Sequence, residues 1–198
     1  MSSMSAAGKV CIGFSKPYVA VYTNSGTTIT YSDGRVLARG VDVSIEPETS
    51  DDNKFYADNV EAETDAGTFS GGTLSLTVDG LHQDAEALIM GLPAADQSGW
   101  ISYGDSQTVP FVGVGYIAKY MSGGEITYVP TIIPKVVFNQ ISNSHATSED
   151  SLNFQTQALT AQIKRADDAD RSWKYLGEPQ TTEALAEAAI KTKFGITG

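Results

Sequence analysis

Apolar and polar side chains alternate in two stretches of the first half of the chain. Apolar residues occupy every second position from 41 to 45 and again from 74 to 78, and polar residues stand between them. A period of two is the spacing of a β-strand that buries one face. The pattern therefore predicts two half-buried strands, one on each side of a long polar excursion.

The excursion itself, residues 46–72, is strongly acidic, and we call it the acidic segment. Its residues 46 to 65 contain eight Asp and Glu side chains and a single base, Lys54. Such a segment is too polar to be core, and connections of this length are usually functional or mobile. Phe55 and Tyr56 stand among the acids, where they would form apolar surface in water. The sequence predicts an arm or a long hairpin here.

The spacing of apolar residues changes after residue 80. Apolar side chains then recur at i, i+4, i+7, i+8 and i+11, which places them on one face of a helix. Asp84 and Glu86 lie in the early turns, where the helix dipole favours acids, and Gly91 can end the helix. We predict a helix over residues 81–91.

The remaining chain favours strands. A hairpin is predicted across Ser122-Gly123-Gly124, and because Pro130 and Pro134 cannot donate to a ladder, its second strand should lie at an edge or be broken. Residues 9–31 predict short strands that are interrupted at Lys16-Pro17, and residues 151–165 predict another strand. For residues 178–198 the sequence predicts either a terminal helix or an arm.

Together these elements predict a mainly β chain of the α+β kind, with about eight strands in a single domain over residues 1–198. The expected architecture is an antiparallel β-sandwich or barrel, flanked by one α-helix and carrying a long loop or hairpin arm.

Composition narrows the functional classes. The 198 residues carry a net charge of −11, which argues against a surface that grips nucleic acid, because phosphate binding needs clustered Lys and Arg. Cys11 is the single cysteine, so neither an intrachain disulfide nor a cysteine-based zinc site is expected. No run approaches the ~18 apolar residues of a membrane span, so no membrane partner is expected.

Motifs for chemistry are weak. Residues 113–118 fit G-x-G-x-x-A, but they lie in a β-rich run without a following helix, so glycines at a crowded point of a strand are the better interpretation. The acids near residues 51–58 lack the spacing of a calcium loop, and a solvated loop is the better interpretation. His82 and His145, the two histidines, stand in ordinary settings. We expect no enzyme, no cofactor and no metal.

Four fragments between residues 36 and 91 resemble the major tail proteins, or tail-tube proteins, of long-tailed non-contractile bacteriophages (siphovirus type). They are the acid-interrupted strand VDVSIEP, the loop SDDNKFYADN, the strand GGTLSLTVDGL and the helix that ends in Leu-Ile-Met-Gly. A looser similarity covers residues 109–120.

The resemblance implies a structural virion protein without catalytic activity. Its β-sandwich would join others in a homohexameric ring, and rings would stack into a hollow tail tube. Such a tube encloses a tape-measure protein, meets tail terminator and baseplate or tail-tip proteins, and conducts DNA during ejection without binding it specifically. The protein would be assembled in the host cytoplasm and located in the virion tail.

Two groups of residues are candidates for these roles. Asp42 and Glu46 lie on the polar side of the strand that carries the resemblance, and we assign them to the lumen; an ordinary solvated face is the alternative. The second group would contact a neighbouring subunit, with a loop packed on its own subunit as the alternative: Asp52, Asn53, Phe55, Tyr56, Asp58 and Asn59.

Two other classes of protein share these features. A monomeric β-sandwich that binds carbohydrate or protein would have the same strands and acidic segment. The tube protein of a contractile injection device would also polymerise.

Overall fold

A computed structural model describes residues 8–51, 53–57, 60–65, 67–105, 107–142 and 155–196; for 53–57 and 60–65 the description is of the backbone. These residues form ten strands and two helices. The strands are β1 (Val10–Ser25), β2 (Thr28–Val36), β3 (Gly40–Thr49), β4 (Asn53–Ala57), β5 (Val60–Asp65), β6 (Phe69–Val78), β7 (Val112–Ser122), β8 (Glu125–Phe138), β9 (Gln157–Ile163) and β10 (Tyr175–Leu176). The helices are α1 (Gln83–Met90) and α2 (Glu183–Lys193).

Eight strands form one antiparallel sheet in the order β2-β1-β7-β8-β9-β6-β3, and β10 pairs with β8 beside β9. Among the described strands, β2 and β3 lie at the two ends of this order. The strands β4 and β5 form a separate two-stranded sheet. The expectation of a mainly β, antiparallel fold with a flanking helix is confirmed.

One face of the sheet encloses the main hydrophobic core. β1, which is next to one end of the order, and β3, which is at the other end, both contribute to it, and these two strands also approach each other across the fold. Helix α1 packs Ala85, Ile89 and Met90 into this core and ends at Gly91, whose φ of 62° is left-handed. Each fully buried Leu or Ile side chain stabilises the fold by about 1.5–3 kcal/mol relative to an exposed one.

The opposite face carries a second, smaller core under α2. The buried side chains of this helix are Ala186 and Ile190, and Phe194 follows them at its C-terminal end. They pack onto β7 where Gly115 leaves room: a Cβ there would lie 2.8 Å from Ile190 Cγ2 and 3.0 Å from the Phe194 ring. The G-x-G run of β7 therefore lies directly beneath α2, and its glycines leave the space that the buried side chains of the helix fill.

The sequence left residues 178–198 open between a terminal helix and an arm, and the structure has a helix there, α2. Its buried residues are Ala186 and Ile190, whereas Leu185 and Ala189 are exposed.

One expectation needs correction, because β8 is neither an edge strand nor broken. Its register with β7 shifts where Pro134 falls. The carbonyl of Pro130 accepts a hydrogen bond from Gly177 N, and because the N and C=O of a residue in an antiparallel strand point to the same side, the missing N–H of Pro130 faces away from β7. Both prolines therefore lie inside a continuous strand.

The packing of α2 predicts that Gly115→Val displaces the helix. A valine there should destabilise the protein by about 1–3 kcal/mol, because extra methyl groups enter a filled space. Limited proteolysis should then cut within residues 183–194, and thermal unfolding should occur at a lower temperature. Gly13→Val is the matched control, since a Cβ at Gly13 meets no atom within 4 Å. Equal stability of the two variants would contradict this packing.

Candidate assembly surface

The part of the sheet that α2 leaves uncovered has a mostly polar outer surface. It spans β3, β6 and β9, whose intervening residues point into the core. We call it the polar face, and its members are Asp42, Ser44, Glu46, Thr73, Ser75, Thr77, Ala158, Thr160 and Gln162. In an isolated subunit its members on β3 are exposed, and those on β6 are half-buried.

The sequence-predicted lumen residues, Asp42 and Glu46, both belong to the polar face. Asp42 pairs with Thr77 and Glu46 with Thr73 across the ladder, and both acids are exposed. Neither forms an ion pair with another described side chain, so both carboxylates present charge to solvent. Acids on an end strand also discourage unspecific pairing with other sheets, which is a second physical role for the same residues.

The strand that carries these acids has an open edge. Among the described strands, β3 pairs only with β6, along ten residues from Gly40 to Thr49. At the other end of the order, β1 is the one partner that β2 has in the part of the chain that the structure describes. An unpaired edge presents a row of N–H and C=O groups that can add a strand from another chain. The two open edges belong to different strands, so they can meet between copies without twofold symmetry.

A hairpin rises between β3 and β6, at the place where the sequence predicts an arm. Its strands β4 and β5 pair with each other from Asn53–Asp65 to Ala57–Val60. Two hydrogen bonds join its base: Ser50 N donates to the Thr68 carbonyl at 2.8 Å, and Thr68 N donates to Ser50 Oγ at 3.0 Å. The base is therefore closed independently of the hairpin itself.

The predicted contact residues fall on this hairpin in part. Asn53, Phe55 and Tyr56 belong to β4. Asp52, Asp58 and Asn59 lie outside the described residues. The structure thus assigns the first three to a strand of the hairpin, and their contact with a neighbouring subunit stays a prediction.

Two residues that the sequence did not single out for this region fix the base of the hairpin. Arg165 Nε donates to the Phe69 carbonyl at 2.9 Å, and its Nη2 donates to Thr68 Oγ1 at 3.2 Å. Trp173 stacks on Phe69 with ring centroids 4.6 Å apart and planes 4° apart. Both contacts join segments about a hundred residues apart, so no local pattern could have found them. They hold the base of the hairpin against the loop after β9.

A charged cluster holds α2 on the opposite part of the sheet. Glu187 accepts hydrogen bonds from Lys16 Nζ and, at 2.6 Å, from the Tyr18 hydroxyl, and Lys191 Nζ lies 3.0 Å away. The bond from Lys16, followed by the bond from Tyr18, lowers the pKa of Glu187 from 4.5 to about 2. The carboxylate is therefore charged in the folded protein over nearly the whole accessible pH range.

This cluster predicts a pH-dependent effect of Glu187→Gln. Because the folded-state pKa is lowered, the stabilisation is fully present above the unfolded value and is lost as pH falls from about 4.5 towards 2. At neutral pH the variant should lose about 1 kcal/mol, a modest value because Lys16 is largely solvated, which lowers Tm by about 2–4 °C. Thermal unfolding of both proteins over a pH series measures this.

The difference in Tm between Glu187→Gln and the wild type should shrink below pH 4.5. Glu178→Gln, at an exposed acid outside the cluster, serves as the control and should leave Tm unchanged. A loss of stability that does not depend on pH, or an equal loss in the control, would contradict the assignment.

Candidate chemistry is sparse in the part of the chain that the structure describes. His82 is exposed just before α1, and His145 lies outside the described residues. No group of three or more His, Cys, Asp or Glu side chains is placed to hold a metal ion within the described ranges. Neither of the helices found there is long and apolar enough to cross a membrane.

Comparison with known proteins adds no relative. No protein-family model matches the chain, and no curated protein matches it significantly.

Proposed function

We propose that this protein is the tail-tube subunit of a long-tailed, non-contractile bacteriophage. Copies form homohexameric rings, and the rings stack into a hollow tube in the virion tail. The tube encloses a tape-measure protein, meets terminator and tail-tip proteins at its ends, and conducts DNA during ejection. The resemblance of residues 36–91 motivates this proposal, and the surface described above supports it physically.

The observation that carries the proposal is the open edge of β3 beside the exposed polar face. An edge of ten residues that none of the described strands covers is a liability for a protein that stays single. Pairing with the edge of β2 on a second copy would cover both edges in one contact. Since that contact is heterologous, it repeats from copy to copy and closes into a ring if the rotation allows.

Charge supports the placement of the polar face in the lumen. The chain carries −11, and Asp42 and Glu46 direct two of its acids from β3 to solvent. Repetition around a ring would line the channel with carboxylates. Such a wall repels DNA phosphates, so a passing duplex would meet little friction.

The hairpin predicts how assembly can be blocked without unfolding the subunit. Replacing residues 52–66 with Asn-Gly should preserve the fold, because the Ser50–Thr68 hydrogen bonds already close the base. The shortened protein should keep its Tm and circular dichroism but fail to pellet as tubes on ultracentrifugation. The milder Phe55→Ala/Tyr56→Ala variant should show the same defect if these two side chains make the contact.

A matched control removes apolar surface elsewhere. Leu176→Ala/Leu185→Ala trims two side chains that are 67% and 52% exposed, and this variant should form tubes normally. Tubes from the shortened protein would contradict the assembly role of the hairpin. A wild type that stays single and binds a glycan or protein would indicate a monomeric binding module. A contractile injection device would share the tubes and differ by a sheath that surrounds them.

The lumen assignment predicts the effect of Asp42→Lys/Glu46→Lys. Tubes should still form, because both side chains are exposed and lie away from the core. They should retain fluorescent duplex DNA at low salt and release it as salt rises, because lysines replace repulsion with phosphate binding. Phage that carry the variant should deliver DNA more slowly. Gel filtration of tubes with DNA, over a salt series, measures the retention.

The control for this experiment reverses two exposed acids away from the polar face, Asp170→Lys/Glu178→Lys, with the same change in net charge. Equal DNA retention by both sets of tubes would place Asp42 and Glu46 outside the lumen.

A further inference from the structure

One end of the molecule presents exposed apolar side chains together with two lysines. We call it the tip; it is formed by the start of β1 and by the β7–β8 turn. Val10 pairs with Met121, and Met121 pairs with Ile126, so the three side chains share one face of three adjacent strands. They are 65%, 39% and 38% exposed. Three large apolar side chains side by side in water mark an interaction site more clearly than scattered ones do.

The tip projects from the fold. Gly123 and Gly124 form its two-residue turn with φ of 59° and 87°, as hairpins with this turn type require. A Cβ at either glycine, or at Gly8, would meet no atom within 4 Å. Within the described residues, nothing of its own chain therefore has to move before the tip enters a concave surface.

A concave apolar surface lies at the far end of β1. This cleft, of about 680 Å³, is bounded by α1, by β2 and by the loop that joins α1 to β7. Its walls are largely apolar, with Val21, Ala87, Leu92 and Ile101 among them. A volume of this size accommodates several side chains of a partner.

The loop that forms one wall of the cleft also carries exposed aromatic side chains. The loop that supplies Ile101 presents Trp100, which is 75% exposed, and Tyr103, which is 52% exposed. The Tyr103 hydroxyl donates to Glu86 Oε1 at 2.6 Å, so this part of the loop is fixed to α1. Ordered, exposed Trp and Tyr side chains are the residues that most often anchor protein interfaces.

Charge is complementary between the two ends. The tip has Lys9 and Lys119, with Glu125 as the one acid in residues 8–13 and 119–128. The cleft has the opposite balance. Asp33 and Asp84 lie in its wall, Asp96 lies in the adjoining loop, and Glu86 lies on α1 where it binds Tyr103. Its base, Arg35, lies 3.2 Å from Asp84.

We propose that the tip of one copy docks in the cleft of a second copy. Val10 lies in the tip and Val21 lines the cleft, eleven positions along the same strand, which corresponds to roughly 35 Å of extended chain. Two different surfaces at opposite ends give a head-to-tail contact that adds copies without limit. This inference rests on the proposed self-assembly and names the contact between successive layers.

Cys11 gives a direct measurement of whether the tip is covered. It is the single cysteine and it is exposed. It follows Val10 in β1 with its side chain on the other face of the strand, so it loses access to reagent only when the cleft encloses the whole tip. Alkylation by a maleimide should be about tenfold slower in assembled protein than in dilute single chains, because the reagent loses access to the thiol. Equal rates in verified tubes would overturn the tip–cleft contact and leave the tube proposal intact.

A mixing experiment tests the pairing itself. Lys119→Ser/Met121→Ser removes the charge and an apolar anchor from the tip, and Ala87→Arg/Ala95→Arg fills the cleft with bulk and positive charge. Neither variant should add further layers alone. Each retains one intact surface, so an equimolar mixture should form particles of twice the mass, as single chains or as rings, and stop there. Mass photometry reads this directly, and each variant is the control for the other.

Doubling in the mixture, with no growth in either variant alone, supports the head-to-tail contact whether or not rings form. Either variant growing like wild type, or a mixture that does not double, overturns it. If both variants form rings or tubes normally, the tip–cleft contact is wrong while the proposed function stands.

Discussion

Burial of one face of the eight-stranded sheet is the constraint on which the rest of the structure depends. The sheet curves so that apolar side chains from β1, β6, β7, β8 and β9 meet in one core, with α1 closing it. Once the residues of the buried face are fixed, the alternation of side chains along each strand determines which residues lie on the outer face. The outer surface is then divided: α2 covers β7 and its neighbours, while β3, β6 and β9 keep their polar residues in solvent.

That division leaves a subunit with unfinished surfaces. Both ends of the strand order are open among the described strands, a hairpin stands apart from the main sheet, and an apolar tip and an apolar cleft lie at the two ends of β1. In a monomeric protein, each of these surfaces could be protected within the subunit itself, as when charged residues or a covering loop protect an edge strand. In the proposed tube, copies of the chain would cover these surfaces on one another.

The elements best predicted from the sequence are those whose signal is local. The alternation in β3 and β6 and the helical period of α1 each depend on neighbouring residues, and the structure has all three. The prediction for α2 was weaker because its buried side is set by Gly115 in a distant strand. The prediction that β8 is an edge strand or is broken was wrong. A proline disfavours a central strand only where the N–H that it lacks would have formed a ladder hydrogen bond. Arg165 and Trp173 escaped notice because their contacts with Phe69 bridge distant segments.

Negative-stain electron microscopy of the purified wild type over a concentration series tests the central claim most directly. The account predicts hollow tubes, or six-fold rings at lower concentration, with a lumen wide enough for duplex DNA. Particles that remain single at every concentration would contradict it.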